Sequence, residues 1–230
     1  MTDVDAFDRF VELIQGEEDE LPLGEAALLV ATQANPSLDV AAYLDQLHDL
    51  ASACPGPTLD LLVAHLFSKS GCGFGGNRDD YYDPRNSLLD QVLDRRVGIP
   101  ITLSVLAMDV GRRIGVPLDG VGMPGHFLLR DRVDRRVFVD PFNGGRELDA
   151  ADCQTLFRQS VGADSAWFDH YLDPVPRRAV MARLLANLRH VYQQRGDADS
   201  LLWVLRLRCA FPDATAEDHA ALGRLMAPRN

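Results

Sequence analysis

The sequence predicts an α+β fold in which a small antiparallel sheet lies between two helical regions. Apolar residues recur at helical spacing through the first third of the chain and again beyond Pro174. The stretch between them is rich in glycine, aspartate and proline, and it holds short runs with the composition of strands. Helices segregated from a short run of strands are typical of α+β proteins. The strand candidates are residues 118–123, 126–131 and 136–141.

The composition is that of a globular protein with a strongly acidic balance. Of the 230 residues, 47% are hydrophobic and 25% are charged, which is enough to bury a core without disulfide or metal staples. The net charge of −11 repels phosphate backbones and anionic lipids. We therefore expect neither a nucleic-acid partner nor a membrane partner.

The cysteines and the chain start predict a cytoplasmic protein without a metal site or cofactor. No CxxC pair is present, and a chain of this size does not need a disulfide framework. The acidic start lacks the features of a signal peptide, and no apolar run approaches the roughly 18 residues of a transmembrane helix. The four cysteines, expected to be free thiols, are Cys54, Cys72, Cys153 and Cys209.

The N-terminal region, residues 1–57, is predicted to be helical. After a first amphipathic helix, a charged segment interrupts the pattern, and two further helices are expected over 24–33 and 38–53. A proline–glycine–proline sequence ends the last of these at Pro55.

The central region, residues 58–174, combines helices with a long loop and the strand candidates. Thr58 is placed to cap the first helix. The loop over 71–86 holds too much glycine, aspartate and proline for regular structure, and loops of this length are usually functional or disordered. The predicted helices are 59–68, 87–96 and 101–113, the last of them apolar enough to be buried on most faces.

The C-terminal region, residues 175–230, is predicted to form a helical hairpin followed by one more helix. An amphipathic helix over 177–195 is followed by a turn at Gly196 and by helices over 199–209 and 215–226. A single hairpin cannot bury its own apolar stripe. This tail therefore either completes the fold or recruits a partner protein.

Five segments of the centre form a distinctive set, namely GFGGN (73–77), YYDPRNSLLDQVLDRR (81–96), GIPITLS (98–104), PGHFLLR (124–130) and VDPFNGG (139–145). Together they resemble the transglutaminase-like core family of SirB-type bacterial proteins. The resemblance extends to the helical N-terminus and tail, and it implies a papain/transglutaminase-like core followed by a tetratricopeptide-like tail.

The resemblance implies a catalytic layout of which this chain keeps only part. Enzymes of the family carry a cysteine at the start of a buried helix, then a histidine and an aspartate on successive strands. His126 and Asp140 match the last two positions, and we expect them to lie within hydrogen-bonding distance. The cysteine is expected near Pro100 or Ile101, but none occurs between Cys72 and Cys153.

Three side chains are weak candidates for a substitute nucleophile. Thr102 and Ser104 lie near the start of the helix, where such hydroxyls usually bond to the backbone instead. Cys72 lies in the glycine-rich loop and is able to approach His126 only through the tertiary fold; a free cysteine in a loop is usually just a small apolar residue.

The long loop also supplies candidate binding residues, namely Asn77, Tyr82, Asn86 and, beyond the loop, Arg96. They either form one wall of a cleft that faces His126 or hold the loop together by internal hydrogen bonds. An arginine at position 96 also suits the C-terminus of a helix.

Two functions remain open on the sequence alone. The favoured one is a pseudoenzyme, a non-catalytic transglutaminase-like protein that binds a protein or peptide. The alternative is a cysteine-type hydrolase or acyl-transferase in which Cys72 acts with His126 and Asp140.

Overall fold

A computed structural model describes residues 3–227 and confirms the α+β fold class. The helices are α1 (Asp3–Gln15), α2 (Leu23–Ala34), α3 (Val40–Ser52), α4 (Leu59–Phe67), α5 (Leu89–Arg95), α6 (Pro100–Ile114), α7 (Ala150–Val161), α8 (Arg177–Arg195), α9 (Ala198–Cys209) and α10 (Ala216–Met226). The strands are β1 (Gly75–Gly76), β2 (Val97–Gly98), β3 (Leu118–Val121), β4 (Leu128–Asp131), β5 (Phe138–Asp140), β6 (Arg146–Leu148) and β7 (Pro174–Val175).

The main sheet is antiparallel throughout, with strand order β6-β5-β4-β3-β7. Its three central strands are those predicted from the sequence, in register through Gly120, Leu129 and Val139. The outer strands β6 and β7 are only two or three residues long, too short to show an alternating pattern. A separate two-residue parallel pair joins β1 to β2 and ties the long loop to the segment before α6.

The sheet is buried on both faces because alternate residues of its strands pack against different clusters. Leu129 and Val139 belong to the main core, which surrounds α6. Leu128 and Phe138 point to the other face, where Phe157 of α7 helps to cover them in a second cluster. Helix α7 was not predicted, since Cys153 and Phe157 are its only buried residues.

Helix α6 runs through the centre of the molecule. It is buried continuously from Pro100 to Gly111, as its apolar sequence predicted. Proline at the first helical position needs no hydrogen-bond partner for its nitrogen, and Gly115 ends the helix with a positive φ of 80°. The start of this helix is thereby held at a defined place beside the sheet.

The C-terminal helices pack on the rest of the molecule. Helix α8 contributes a stripe of fully buried residues, including Val180, Leu184 and Leu188, to the main core. Arg178 adds a polar link, since its Nε donates to the carbonyl of Ile14 in α1 over 2.7 Å. The main core therefore draws on all three predicted regions. Within residues 3–227, no helix has the length and apolar character needed to cross a membrane.

Candidate functional site

His126 and Asp140 lie side by side at one end of the sheet. His126 ends the turn between β3 and β4, and Asp140 is the last residue of β5. The imidazole Nε2 is 2.9 Å from the carboxylate Oδ1, and both side chains are buried. The turn that joins β4 to β5 brings the two residues together, as their places on successive strands predicted. The geometry is thus that of an imidazole held by a carboxylate.

Asp140 is fixed by a second set of hydrogen bonds. Its carboxylate accepts from the backbone N–H of Asn143, 3.2 Å away, and from the Asn143 side-chain amide. Burial alone would raise the pKa of Asp140, but the hydrogen bond and charge of His126, together with Asn143, outweigh burial and hold that pKa below its ordinary value. Asp140 is therefore both a turn residue and an anionic partner for the imidazole.

This pairing fixes the orientation of the imidazole. A carboxylate only accepts hydrogen bonds, so we assign the proton to Nε2. The Nδ1 atom has no protein partner among residues 3–227, although only 8% of the His126 side chain is exposed. The ring of Phe142 lies edge-on to the imidazole at 6.1 Å between centroids. Nδ1 is therefore the atom available to a ligand.

The imidazole lines a cleft of about 250 Å³. One wall is the start of α6, at residues 99–101, and a second is the pair Tyr81 and Tyr82 from the long loop. A third wall comes from α8, which presents side chains at helical spacing. These are Arg183, Asn187 and His190.

The start of α6 faces this cleft without any nucleophilic atom. Pro100 and Ile101 line the cleft together with His126 and offer only hydrocarbon. No side chain caps the helix start. The start of α6 and the His126–Asp140 pair therefore meet at one cleft, and no sulfur atom belongs to the described residues that line it.

Neither hydroxyl near the start of α6 is placed to replace a cysteine sulfur, since neither Thr102 nor Ser104 lines the cleft. Ser104 Oγ donates to the carbonyl of Pro100 over 2.8 Å, the backbone bond predicted for it. Thr102 Oγ1 is buried without a hydrogen-bond partner, and Thr102 does not line the cleft.

Cys72 lies beside a different histidine. Its Sγ is 3.8 Å from Nε2 of His65, and that nitrogen is also 2.8 Å from the carbonyl of Leu50, to which it must donate. His65 therefore has no lone pair on this atom to take a proton from the thiol. Burial raises the pKa of Cys72, and the charge of Arg96 offsets only part of this rise. Cys72 does not line the cleft that holds His126.

Of the four predicted binding residues, Tyr82 lines the cleft, whereas Asn77, Asn86 and Arg96 form hydrogen bonds to residues of the long loop. Asn86 is fully buried; its amide donates to the carbonyls of Asp80 and Tyr81, and its oxygen accepts from Asn77. Arg96 ends α5 with a positive φ of 59° and bonds to the carbonyl of Cys72.

Arg183 is one of three α8 residues of the cleft, with Asn187 and His190, that the sequence did not reveal. Its guanidinium donates to the carbonyls of Gly122, Met123 and His126 at 2.7, 2.9 and 3.0 Å, and it lies over the ring of Phe127 at 5.6 Å. The turn that carries His126 is thus held from α8. The available signal was an arginine directly before Leu184 on the buried stripe of an amphipathic helix.

Comparisons with known proteins agree with this architecture. A UPF0162 protein of Xylella fastidiosa is 40% identical over 205 residues, 84% of this chain and 71% of that protein. One from Pseudomonas aeruginosa is 32% identical over 207 residues, 86% of this chain and 75% of that protein. F-box only protein 21 of Homo sapiens is 36% identical over 133 residues, 54% of this chain but 20% of that protein.

No solved structure matches the chain. The sequence model of the Transglutaminase-like superfamily matches residues 34–186, which include α6, the five-stranded sheet and the pair His126 and Asp140. The chain therefore belongs to the Transglutaminase-like superfamily and is a relative of the UPF0162 proteins.

Proposed function

We propose that this protein is a non-catalytic member of its superfamily, a pseudoenzyme that binds a peptide segment of a partner protein in the cleft beside His126. One observation carries the proposal: Pro100 and Ile101 place hydrocarbon at the helix start that faces the imidazole. Acyl transfer of this type needs a thiolate that the helix start and the histidine activate together. A dyad without a nucleophile is able to hold a ligand but not to form a thioester.

The walls of the cleft support peptide binding. Tyr81 and Tyr82 are exposed aromatic residues that meet edge-to-face at 5.3 Å between centroids. Tyrosine offers a rigid apolar surface together with a hydroxyl, a combination that is enriched at protein interfaces. Asn187 and His190 add polar groups along one side of α8. Few polar groups on an apolar surface are typical of a binding site.

The proposal also covers the C-terminal tail, the division of the chain into regions and the cellular location. The resemblance to SirB-type proteins supports a tetratricopeptide-like hairpin, for which α8 and α9, joined through Gly196 and Asp197, are the candidates. We propose that the chain divides into an N-terminal helical region (1–57), a transglutaminase-like core (58–174) and a C-terminal helical tail (175–230). The net charge and the four free cysteines favour a cytoplasmic protein that acts without nucleic acid, membrane or cofactor.

A peptide array tests this function directly. We expect the purified protein to bind a subset of immobilised peptides and to hydrolyse or transamidate none of them. Tyr82→Ala should weaken that binding several-fold, because it removes the exposed ring from the cleft. Phe168→Ala is the matched control, since it removes a similarly exposed ring that does not line the cleft. Amide turnover that disappears in His126→Gln would overturn the proposal.

The hydrolase based on Cys72 receives no support from the geometry. Its thiol contacts His65, and burial favours the protonated form. Only rapid alkylation of Cys72 at pH 7 that is lost in His126→Gln would support this hydrolase.

A further inference from the structure

We infer that the ligand of this cleft presents a carboxylate group to His126, His190 and Arg183. This inference deepens the proposed function and rests on it, because it names the chemistry of the group that the cleft recognises.

The charge of the lining is the first argument. The chain contains 34 aspartate and glutamate residues, yet none of those whose side chains the structure describes lines the cleft. The ionisable side chains of the lining are instead an arginine, two histidines and two tyrosines. Arg183 is the one fixed charge among the described residues of this lining, and a concave surface that holds charge of a single sign attracts the opposite sign, even on a protein whose net charge repels it.

Arg183 supplies a cation whose charge no carboxylate balances. In the part of the chain that the structure describes, the hydrogen bonds of its guanidinium go only to the three carbonyls of the His126 turn, and it forms no ion pair. A partly buried charge is stabilised when an opposite charge approaches it. Because Arg183 lines the cleft, a bound anion would provide that charge without disturbing the three hydrogen bonds.

His126 supplies a hydrogen-bonding atom that lacks a partner. Its side chain is more than nine-tenths buried, Nε2 is engaged by Asp140, and the ring lines the cleft. A carboxylate that binds here would accept a charge-assisted hydrogen bond from Nδ1–H of the doubly protonated ring. His190 lies exposed on the opposite wall, in contact with the ring of Tyr82 at 5.8 Å.

The size of the cleft indicates which part of a ligand it accepts. Its volume of about 250 Å³ is slightly below the range of about 300–1,000 Å³ that is typical of small-molecule sites. The cleft therefore suits a chain terminus or a single side chain of a peptide rather than a long continuous segment. Either the C-terminal carboxylate of a peptide or the side chain of an aspartate or glutamate meets this description.

Titration of the ¹⁵N-labelled protein by NMR tests the inference with small defined probes. N-acetyl-tyrosine carries a terminal carboxylate, and N-acetyl-tyrosinamide is the same molecule without the charge. N-acetyl-glutamate α-amide and N-acetyl-glutamine α-amide form the corresponding pair for a side-chain carboxylate. We expect at least one acid to bind about tenfold more tightly than its amide, as charge-assisted hydrogen bonds imply. The pair that shows the difference identifies the source of the carboxylate.

Two variants show whether the binding belongs to this cleft. His190→Gln should reduce the preference for the acid severalfold, whereas His219→Gln, which removes an exposed histidine outside the cleft, should leave it unchanged. Equal affinity for acid and amide, or an acid preference that His190→Gln does not alter, would overturn the inference. If peptides bind the array but no acid is preferred, only the inference fails. If no peptide binds and no probe shifts cleft resonances, the proposed function fails with it.

Discussion

At the scale of single residues, the carboxylate of Asp140 holds the candidate site together. It is 99% buried and accepts hydrogen bonds from His126 and from two groups of Asn143. Removal of a buried acceptor leaves its donors unsatisfied, and each such donor costs free energy. Asp140 therefore stabilises both the turn after β5 and the imidazole.

We expect Asp140→Ala to lower the free energy of unfolding by about 1–3 kcal/mol, the cost of a buried hydrogen-bonding group left without a partner. Urea unfolding at pH 7 measures this loss. Asp79→Ala, which changes an exposed aspartate in the long loop, should stay within about 0.5 kcal/mol of the wild type.

The folded pKa of Asp140 is lowered, so its contribution to the free energy of unfolding is fully present above the ordinary carboxyl pKa of about 3.8. That contribution is lost as the pH falls through the lowered value. A difference between wild type and variant that vanished already at pH 6 would contradict this assignment.

The thiol of Cys72 should behave as an unreactive, protonated group. Burial raises its pKa above the ordinary value of 9.0, so the thiolate fraction at neutral pH is small. We expect slow alkylation by iodoacetamide at pH 7 and a rate that rises beyond pH 9, followed by mass spectrometry of the peptide that contains Cys72. Rapid labelling at pH 7 that is lost in His126→Gln would instead support the cysteine hydrolase.

At the scale of elements, the start of α6 and the turn before β4 meet at the cleft, where together they would activate a thiol placed at the helix start. A cysteine at Ile101 would stand at an uncapped helix start in the cleft that His126 lines. A helix start favours the thiolate, and a neighbouring imidazole accepts its proton. We expect Ile101→Cys to be alkylated at pH 7 faster than Cys72, because the helix start and the imidazole outweigh the burial of position 101, where Ile101 is 2% exposed.

The double variant Ile101→Cys with His126→Gln is the control for this experiment. It keeps the new thiol at the helix start but removes the proton acceptor, so the alkylation rate should fall. If both variants react no faster than Cys72, the helix start does not activate a thiol, and the comparison with catalytic members of the superfamily loses its physical basis.

Helix α8 contributes to the site through Arg183. We expect Arg183→Met to destabilise the protein by about 2 kcal/mol, because three carbonyls of one turn lose the guanidinium as a donor and only that of Met123 keeps another, the N–H of His126. Hydrogen exchange should increase mainly over residues 122–126. Arg206→Met is the matched control, since Arg206 is an exposed arginine over the ring of Phe7 at 5.1 Å and such a contact contributes only about 0.5–1 kcal/mol. Unchanged exchange in the turn would refute this role of Arg183.

At the scale of the whole molecule, the C-terminal region completes the core. Removal of residues 175–230 would expose the main core where Val180, Leu184 and Leu188 now cover it. We expect the shortened protein to aggregate or to melt at a much lower temperature, as judged by gel filtration and circular dichroism. Deletion of residues 214–230 is the milder control, because α10 contributes no residue to the main core cluster. A shortened protein that stays folded and loses only a bound partner would show that the tail is a recruiting surface.

The sequence by itself determined the local structure and the absence of a cysteine at the start of α6. Except for α7, the helices and the three central strands follow from apolar periodicity, and Thr58 caps α4 through a side-chain bond to the residue three positions later. The pairing of His126 with Asp140 was also predictable, because a short turn joins their strands. The lack of a cysteine between Cys72 and Cys153 needed no structure at all.

Only the tertiary structure decided which distant residues share the cleft. Arg183 lies 57 positions from His126 along the chain, and no local pattern relates the two. Cys72 contacts His65 rather than His126, because the backbone N–H of Cys72 bonds to the carbonyl of His65 at the end of α4. Periodicity and capping act within a few residues, whereas the packing of α8 on the sheet depends on the shape of the whole core. The chain therefore specified its elements locally, and its site arose when those elements packed together.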